Sequence, residues 1–180
     1  MNLTLNESPV MVKDVFLQPG DFCWGNHSIR VKTLLGSCVS IVFWHPQMKI
    51  GGMSHIMLPE KRSGSPENNI LIGKYAEDAV NLFLKEAKRA GTNVHDYQIK
   101  LFGGSNMFTT FEKKVSVEEG FATDKRINEI GYKNVLKARE LLASLNLKIM
   151  SESTGGTKHR KIYLNIWNGE VWMEMKKEKS

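Results

Sequence analysis

Cysteine is scarce in this sequence, with Cys23 and Cys38 the only two among 180 residues. The N-terminal stretch MNLTLNESPVMVKDVFLQPGDF lacks the basic start and apolar run of a secretory signal. The expected compartment is therefore the reducing cytoplasm, and the expected state of both cysteines is the free thiol. No CxxC, HExxH or Cys/His cluster occurs, and five scattered histidines do not make a zinc site, so neither a metal nor a cofactor is expected. No apolar run approaches the length that crosses a bilayer, which argues against membrane insertion. Acidic residues are outnumbered, giving a net charge of +6, with basic residues gathered at Lys85–Arg89, Lys158–Lys161 and Lys176-Lys177-Glu178-Lys179. Stacking aromatics do not interleave with them, so nucleic acid is not an expected partner and a solvated basic surface is. Repeats and low-complexity linkers are absent as well.

What is present is the balance of a globular chain, 41% hydrophobic and 24% charged. A single domain over residues 1–180 is expected, with about 1–18 and 176–180 flexible. Short strands are expected within Asp21–Val31, and a buried strand over Cys38–Trp44, whose sequence CVSIVFW is rich in β-branched and aromatic residues. After an interruption at His45-Pro46-Gln47, Lys49–Leu58 reads as extended, Pro59 closes it, and Lys61–Asn69 reads as an exposed loop. Apolar residues recur at helical spacing over Ile72–Ala90, with Gly91 as the stop, and again over Ile127–Leu145. Tyr97–Phe102, Leu147–Ser151 and Arg160–Trp167 read as strands, and Asn168-Gly169 signals a hairpin into Val171–Met175. Strands, helix, strand, helix, strands is not a doubly wound order. It predicts an α+β fold with largely antiparallel sheets and both helices on one side.

Within TLLGSCVSIVFWHPQMKIGGMSHIMLP, Cys38 heads one apolar run and His55 ends the next. A hairpin turning at Pro46-Gln47 sets His45 opposite Met48 and, counting outward in step, Cys38 opposite His55. Directly opposed side chains share a face, with Cβ atoms about 4.5–5.5 Å apart. An odd loop would put them on opposite faces, and Gly51-Gly52 is a place for a bulge. An imidazole beside a thiol accepts its proton, and the imidazolium then lowers the thiol pKa. Gly36-Ser37-Cys38 adds backbone N–H groups that suit an oxyanion. Two ordinary core residues would give the same spacing, and spacing alone leaves both readings open.

The ordered set LLGSCVSIVFW, GGMSHIMLP, LFGGSNMF, IGYKN and GGTKHRKI resembles the chemoreceptor glutamine deamidase family, CheD, over roughly Gly20 to Val171. The resemblance implies a layered α/β sandwich that hydrolyses glutamine side-chain amides of methyl-accepting chemotaxis receptors to glutamate and ammonia. It implies Cys38 as nucleophile and His55 as acid/base, with no cofactor. The family's third site residue is a threonine shortly before the cysteine. Thr33 is the only threonine nearby, and Lys32 is the alternative match by spacing. The glycine pairs Gly103-Gly104 and Gly155-Gly156 fit no phosphate-binding pattern and would frame the substrate site. A CheC-type phosphatase is the further partner implied, and a non-catalytic adaptor binding receptors or that phosphatase is the alternative function. The chain departs from the family at Ser153, where an aspartate is expected, and at His159, where a glycine is. Those departures bear on substrate or partner selection rather than on the thiol and imidazole.

Overall fold

Seven consecutive residues, Val39–His45, are buried at every position, and that requirement organises the rest of the fold. Only a strand covered on both faces needs β-branched and aromatic side chains at odd and even positions alike. In the computed structural model, which describes residues 8–61, 71–107 and 124–175, this segment is the middle strand of a five-stranded sheet. The strands in chain order are β1 (Lys13–Leu17), β2 (Phe22–Gly25), β3 (Ile29–Leu35), β4 (Val39–His45), β5 (Ile50–Ser54), β6 (Gln98–Gly103), β7 (Ile149–Thr154), β8 (Arg160–Asn165) and β9 (Val171–Met175). Helix α1 (Ala76–Arg89) precedes β6 and helix α2 (Asp124–Ser144) follows it.

One sheet runs β2-β5-β4-β6-β7 and the other β1-β3-β8-β9. Pairing is antiparallel except between β1 and β3 and between β6 and β7, so the sheets are mixed and largely antiparallel, as expected. Val39, Ile41 and Phe43 of β4 join Phe83 of α1 and Ala138 and Leu142 of α2 in one core. Phe43 stacks on Phe83 with ring centroids 4.3 Å apart. The alternate residues Val42 and Trp44 face the second sheet, meeting Val31, Leu35, Ile162 and Leu164 in a second core. Each such fully buried apolar side chain contributes about 1.5–3 kcal/mol. The layers are therefore helices, sheet, sheet, with both helices on one side.

The Asn168-Gly169 turn joins β8 to β9 as read, with Gly169 at φ 72° and its N–H donating to the Asn165 carbonyl at 2.8 Å. Trp44 lies directly against Gly169, and its Nε1–H donates to the Ile166 carbonyl at 2.7 Å, which ties the two sheets together.

Three expectations need correction. Helix α1 begins at Ala76 rather than Ile72, because the preceding residues serve other partners. Gly73 N–H donates to the Gly20 carbonyl at 2.9 Å and the Lys74 carbonyl accepts from Met57 and Leu58. Helix α2 begins at Asp124, earlier than Ile127. Lys13–Leu17, expected to be flexible, forms strand β1 parallel to β3, since Val15 and Leu17 add to the core between the sheets. Residues 1–7 and 176–180 and most of the expected 61–69 loop lie outside the described residues.

Candidate active site

The turn after β4 decides how the cysteine and histidine meet. It is a four-residue connection that sets His45 opposite Ile50, with Lys49 in the left-handed region at φ 51° and its N–H donating to the His45 carbonyl at 2.9 Å. The register is thus displaced by two residues from the expected one, and no bulge interrupts it at Gly51-Gly52. Val39 pairs with Ile56, so Cys38 is level with Met57 and diagonal to His55. An even displacement leaves both side chains on one face. Diagonal neighbours have Cβ atoms within about 7–8 Å, within reach of a ring and a sulfur.

That face looks toward the other sheet. Cys38 is half-buried and packs against the core between the sheets. His55, 2% exposed, is held through its backbone, its N–H donating to the Asp21 carbonyl at 2.9 Å and its carbonyl accepting from Gly20 at 2.8 Å. From β3 of the second sheet comes Thr33, fully buried, whose Oγ1 lies 2.7 Å from His55 Nδ1. The same hydroxyl donates to the Leu17 carbonyl at 3.0 Å. A hydroxyl has one proton, and the carbonyl can only accept it. Thr33 Oγ1 therefore accepts from Nδ1–H, which leaves the His55 lone pair on Nε2.

Burial pushes the Cys38 thiol pKa up. Burial pulls the His55 imidazole down, against the smaller opposing effects of the Leu17 carbonyl and the Asp21 carboxylate. The pair at neutral pH is accordingly a thiol and a neutral imidazole. Burial disfavours the charged form of each group in the free protein, so the proton leaves the thiol as a substrate is attacked.

The loop before Cys38 is tied down carbonyl by carbonyl. Gly36 accepts from Ser105 N–H and Cys38 from Gly104 N–H, each at 2.8 Å. Ser37 accepts from the side-chain amide of Asn134 on α2 at 3.1 Å, and that amide donates its second proton to the Met57 carbonyl at 3.0 Å. The Cys38 N–H has no acceptor among the described residues. Gly104, at φ 68°, lies so close to Val135 and Gly131 of α2 that a side chain there would collide with both. The second glycine pair joins the first, with Gly155 N–H donating to the Gly103 carbonyl at 2.9 Å and Asn106 N–H to the Gly156 carbonyl at 2.7 Å. Met107 and His159 close over Gly36. The glycine loops frame the site.

Cys38 and His55 thus share the face of one sheet that Thr33 meets from the other, whereas Lys32 points to the outer face, with its Nζ on Asp14 at 2.6 Å. Asn134 and the Leu17 carbonyl escape a reading from sequence. Asn134 had one visible signal, a polar residue set one turn from Ala138 along an apolar helical stripe, and the structure buries it fully. Among the described residues no group of histidine, cysteine or carboxylate side chains could hold a metal ion.

The family model described as CheD chemotactic sensory transduction matches residues 57–175. The chain belongs to the CheD family. Three relatives extend the likeness over nearly the whole chain. A protein of Leptospira interrogans serogroup Icterohaemorrhagiae serovar copenhageni named probable chemoreceptor glutamine deamidase CheD 1 is 46% identical over 166 residues, 92% of this chain and 95% of that one. The probable chemoreceptor glutamine deamidase CheD 3 of Dechloromonas aromatica is 41% identical, covering 94% and 91%. The probable chemoreceptor glutamine deamidase CheD of Pseudomonas fluorescens is 38% identical, covering 93% and 87%. The CheD family match starts just past His55 and takes in both glycine loops and Asn134. The relatives leave too few residues unmatched for 33–55 to fall outside.

Proposed function

We propose that this protein is a glutamine deamidase acting on methyl-accepting chemotaxis receptors in the cytoplasm. The observation that supports the reading is the bond from His55 Nδ1 to Thr33 across the two sheets, which leaves the Nε2 lone pair free to serve as base in a chain of the CheD family. His55 Nε2 takes the thiol proton as Sγ attacks the glutamine side-chain carbonyl. The oxygen that gains charge is received by the Cys38 N–H. Imidazolium then protonates the leaving nitrogen, and ammonia departs from a γ-glutamyl thioester. Water, losing its proton to His55, attacks the thioester and regenerates the thiol with glutamate as product. Atoms balance as glutamine plus water to glutamate plus ammonia, with no redox partner or cofactor. No helix among the described residues is long and apolar enough to cross a membrane.

Purified protein incubated with receptor cytoplasmic fragments should convert individual glutamines to glutamates, read by mass spectrometry of peptides. Cys38→Ala and His55→Ala should abolish conversion. Conversion that persists in Cys38→Ala rules out the nucleophile. Binding to receptors or to a CheC-type phosphatase without any conversion assigns the adaptor role instead.

A further inference from the structure

Arg160 opens β8 on its inner face, level with Leu35, three residues before Cys38. It is only 5% exposed, yet it has no carboxylate partner among the described residues. A buried guanidinium is ordinarily paired with an acid. Here Nε donates to Ser153 Oγ at 3.2 Å and Nη1 to Ser105 Oγ at 2.6 Å, both neutral hydroxyls. Ser105 passes its own proton to the Lys158 carbonyl at 2.7 Å, so the network neutralises nothing. The acid nearest in sequence, Glu152, is committed to Arg139, which holds it through two nitrogens at 2.8 and 3.1 Å.

The remaining nitrogen, Nη2, makes no hydrogen bond among the described residues and is not sealed from solvent as the Asn134 carbonyl oxygen is. It faces Gly156, beside which there is room: a Cβ there would still be 3.9 Å from Nη2, and one on Gly155 would touch nothing. Exposed Lys158 and His159 stand on the same loop. Positive charge and free N–H groups of Arg160 thus face a loop whose two glycines leave the approach open.

We propose that Arg160 forms a carboxylate subsite beside Cys38, which takes an acidic side chain of the substrate protein lying near the target glutamine. The occupant, though not the subsite, rests on the deamidase reading. Three extended residues span at most about 10 Å, and two turns of a helix rise about 11 Å. On a substrate segment presented as a helix, an acidic residue one or two turns from the glutamine would reach Arg160 while the amide meets Cys38. A planar carboxylate suits the free edge of the guanidinium and its charge supplies what the two serines do not.

Arg160→Gln removes a buried network and risks misfolding, so the informative variant is Ser153→Asp, which supplies a carboxylate from within. In the unaltered protein, sodium acetate titrated against sodium chloride at matched ionic strength should give saturable NMR shifts at Arg160 Nε–H and the Gly155 and Gly156 amides. Ser153→Asp should abolish them and raise the melting temperature. With receptor fragments, Ser153→Asp should raise KM about tenfold at unchanged kcat. Fragments whose acidic residues near the target are changed to alanine should show the same KM rise with the unaltered protein and none with the variant. Acetate shifts that are absent or spread over the surface lysines overturn the subsite. Equal KM for acidic and neutral fragments overturns its occupant. If no fragment is deamidated, the acetate titration still decides the subsite, and it is the deamidase reading that fails.

Discussion

His55 is specified from two directions, its backbone by the loop that bears Gly20 and Asp21 and its ring by a hydroxyl from the opposite sheet. The ring contact predicts a sharp difference between two small substitutions of Thr33. Thr33→Val keeps the shape and deletes the acceptor for Nδ1–H, so the ring loses its fixed tautomer and the Leu17 carbonyl its donor. Deamidation should slow by about 100-fold, the lower end of what a positioned acid/base supplies. Thr33→Ser should stay within a few-fold, because the hydroxyl remains. Single-turnover rates, with 15N shifts of the His55 ring reporting the tautomer, check both. At Cys38 the prediction concerns pH. Because burial raises the thiol pKa, alkylation at neutral pH should be slower than for an exposed cysteine and should rise only above the usual thiol range, about 8.5. Faster alkylation of Cys38 than of a free peptide thiol at pH 7 would contradict the neutral pair. Ser153, where the family resemblance led to an expected aspartate, has a physical consequence at this scale: it offers Arg160 a hydroxyl where a carboxylate would neutralise it.

Among the elements, α2 reaches furthest into the site. Its Asn134 amide bridges Ser37, next to the nucleophile, and Met57, just beyond His55, while its own carbonyl oxygen is buried without a partner. Asn134→Ala deletes both bonds and leaves two carbonyls unsatisfied, a loss of about 1–3 kcal/mol. Urea denaturation should show a lower midpoint at constant slope, and kcat should fall more than KM rises, since the Ser37–Cys38 peptide loses its anchor. Such bridges explain what could be read in advance. Strand β4 was legible because burial on two faces writes itself into every residue, and the β8–β9 turn because Asn-Gly is a local signal. The register of β4 on β5 was not, since it depends on Lys49 entering the left-handed region, which a lysine does not announce. Cys38 and His55 kept a common face only because the displacement was even. Strand β1 was hidden for a related reason: Val15 and Leu17 are too short an alternation to stand out until β3 is beside them. Thr33 was in view as a residue, but its contact with His55 joins two sheets and belongs to no local pattern.

For the molecule as a whole, the site sits between its two sheets, so protonation of the site is coupled to the stability of the fold. The His55 pKa is lowered in the folded protein, chiefly by burial, whereas in the unfolded chain the imidazole titrates at its ordinary value, about 6.5. The unfolded state therefore binds the extra proton first as pH falls. The stability associated with a neutral His55 is fully present above pH 6.5 and is lost as pH drops through the folded value. The thiols work in the other direction. Burial raises the pKa of both Cys23 and Cys38, so their contribution is present below the ordinary thiol pKa and is lost as pH rises through the folded values. Stability should accordingly be level between about pH 7 and pH 8 and fall on either side. Each unit of difference in the His55 pKa corresponds to about 1.4 kcal/mol on the acid limb. The assignment is separable from general acid unfolding, because carboxylates do not titrate appreciably above about pH 5.5. Urea melts at half-unit steps from pH 5.5 to 7.5 should show a rising midpoint in the unaltered protein and a flatter one in His55→Gln, whose side chain carries no titrating proton. The comparison is between slopes, so any uniform destabilisation by the variant cancels. Parallel slopes would mean that His55 takes up its proton in the folded state as readily as in the unfolded chain, and the dry interior between the sheets would then not be what keeps the imidazole neutral.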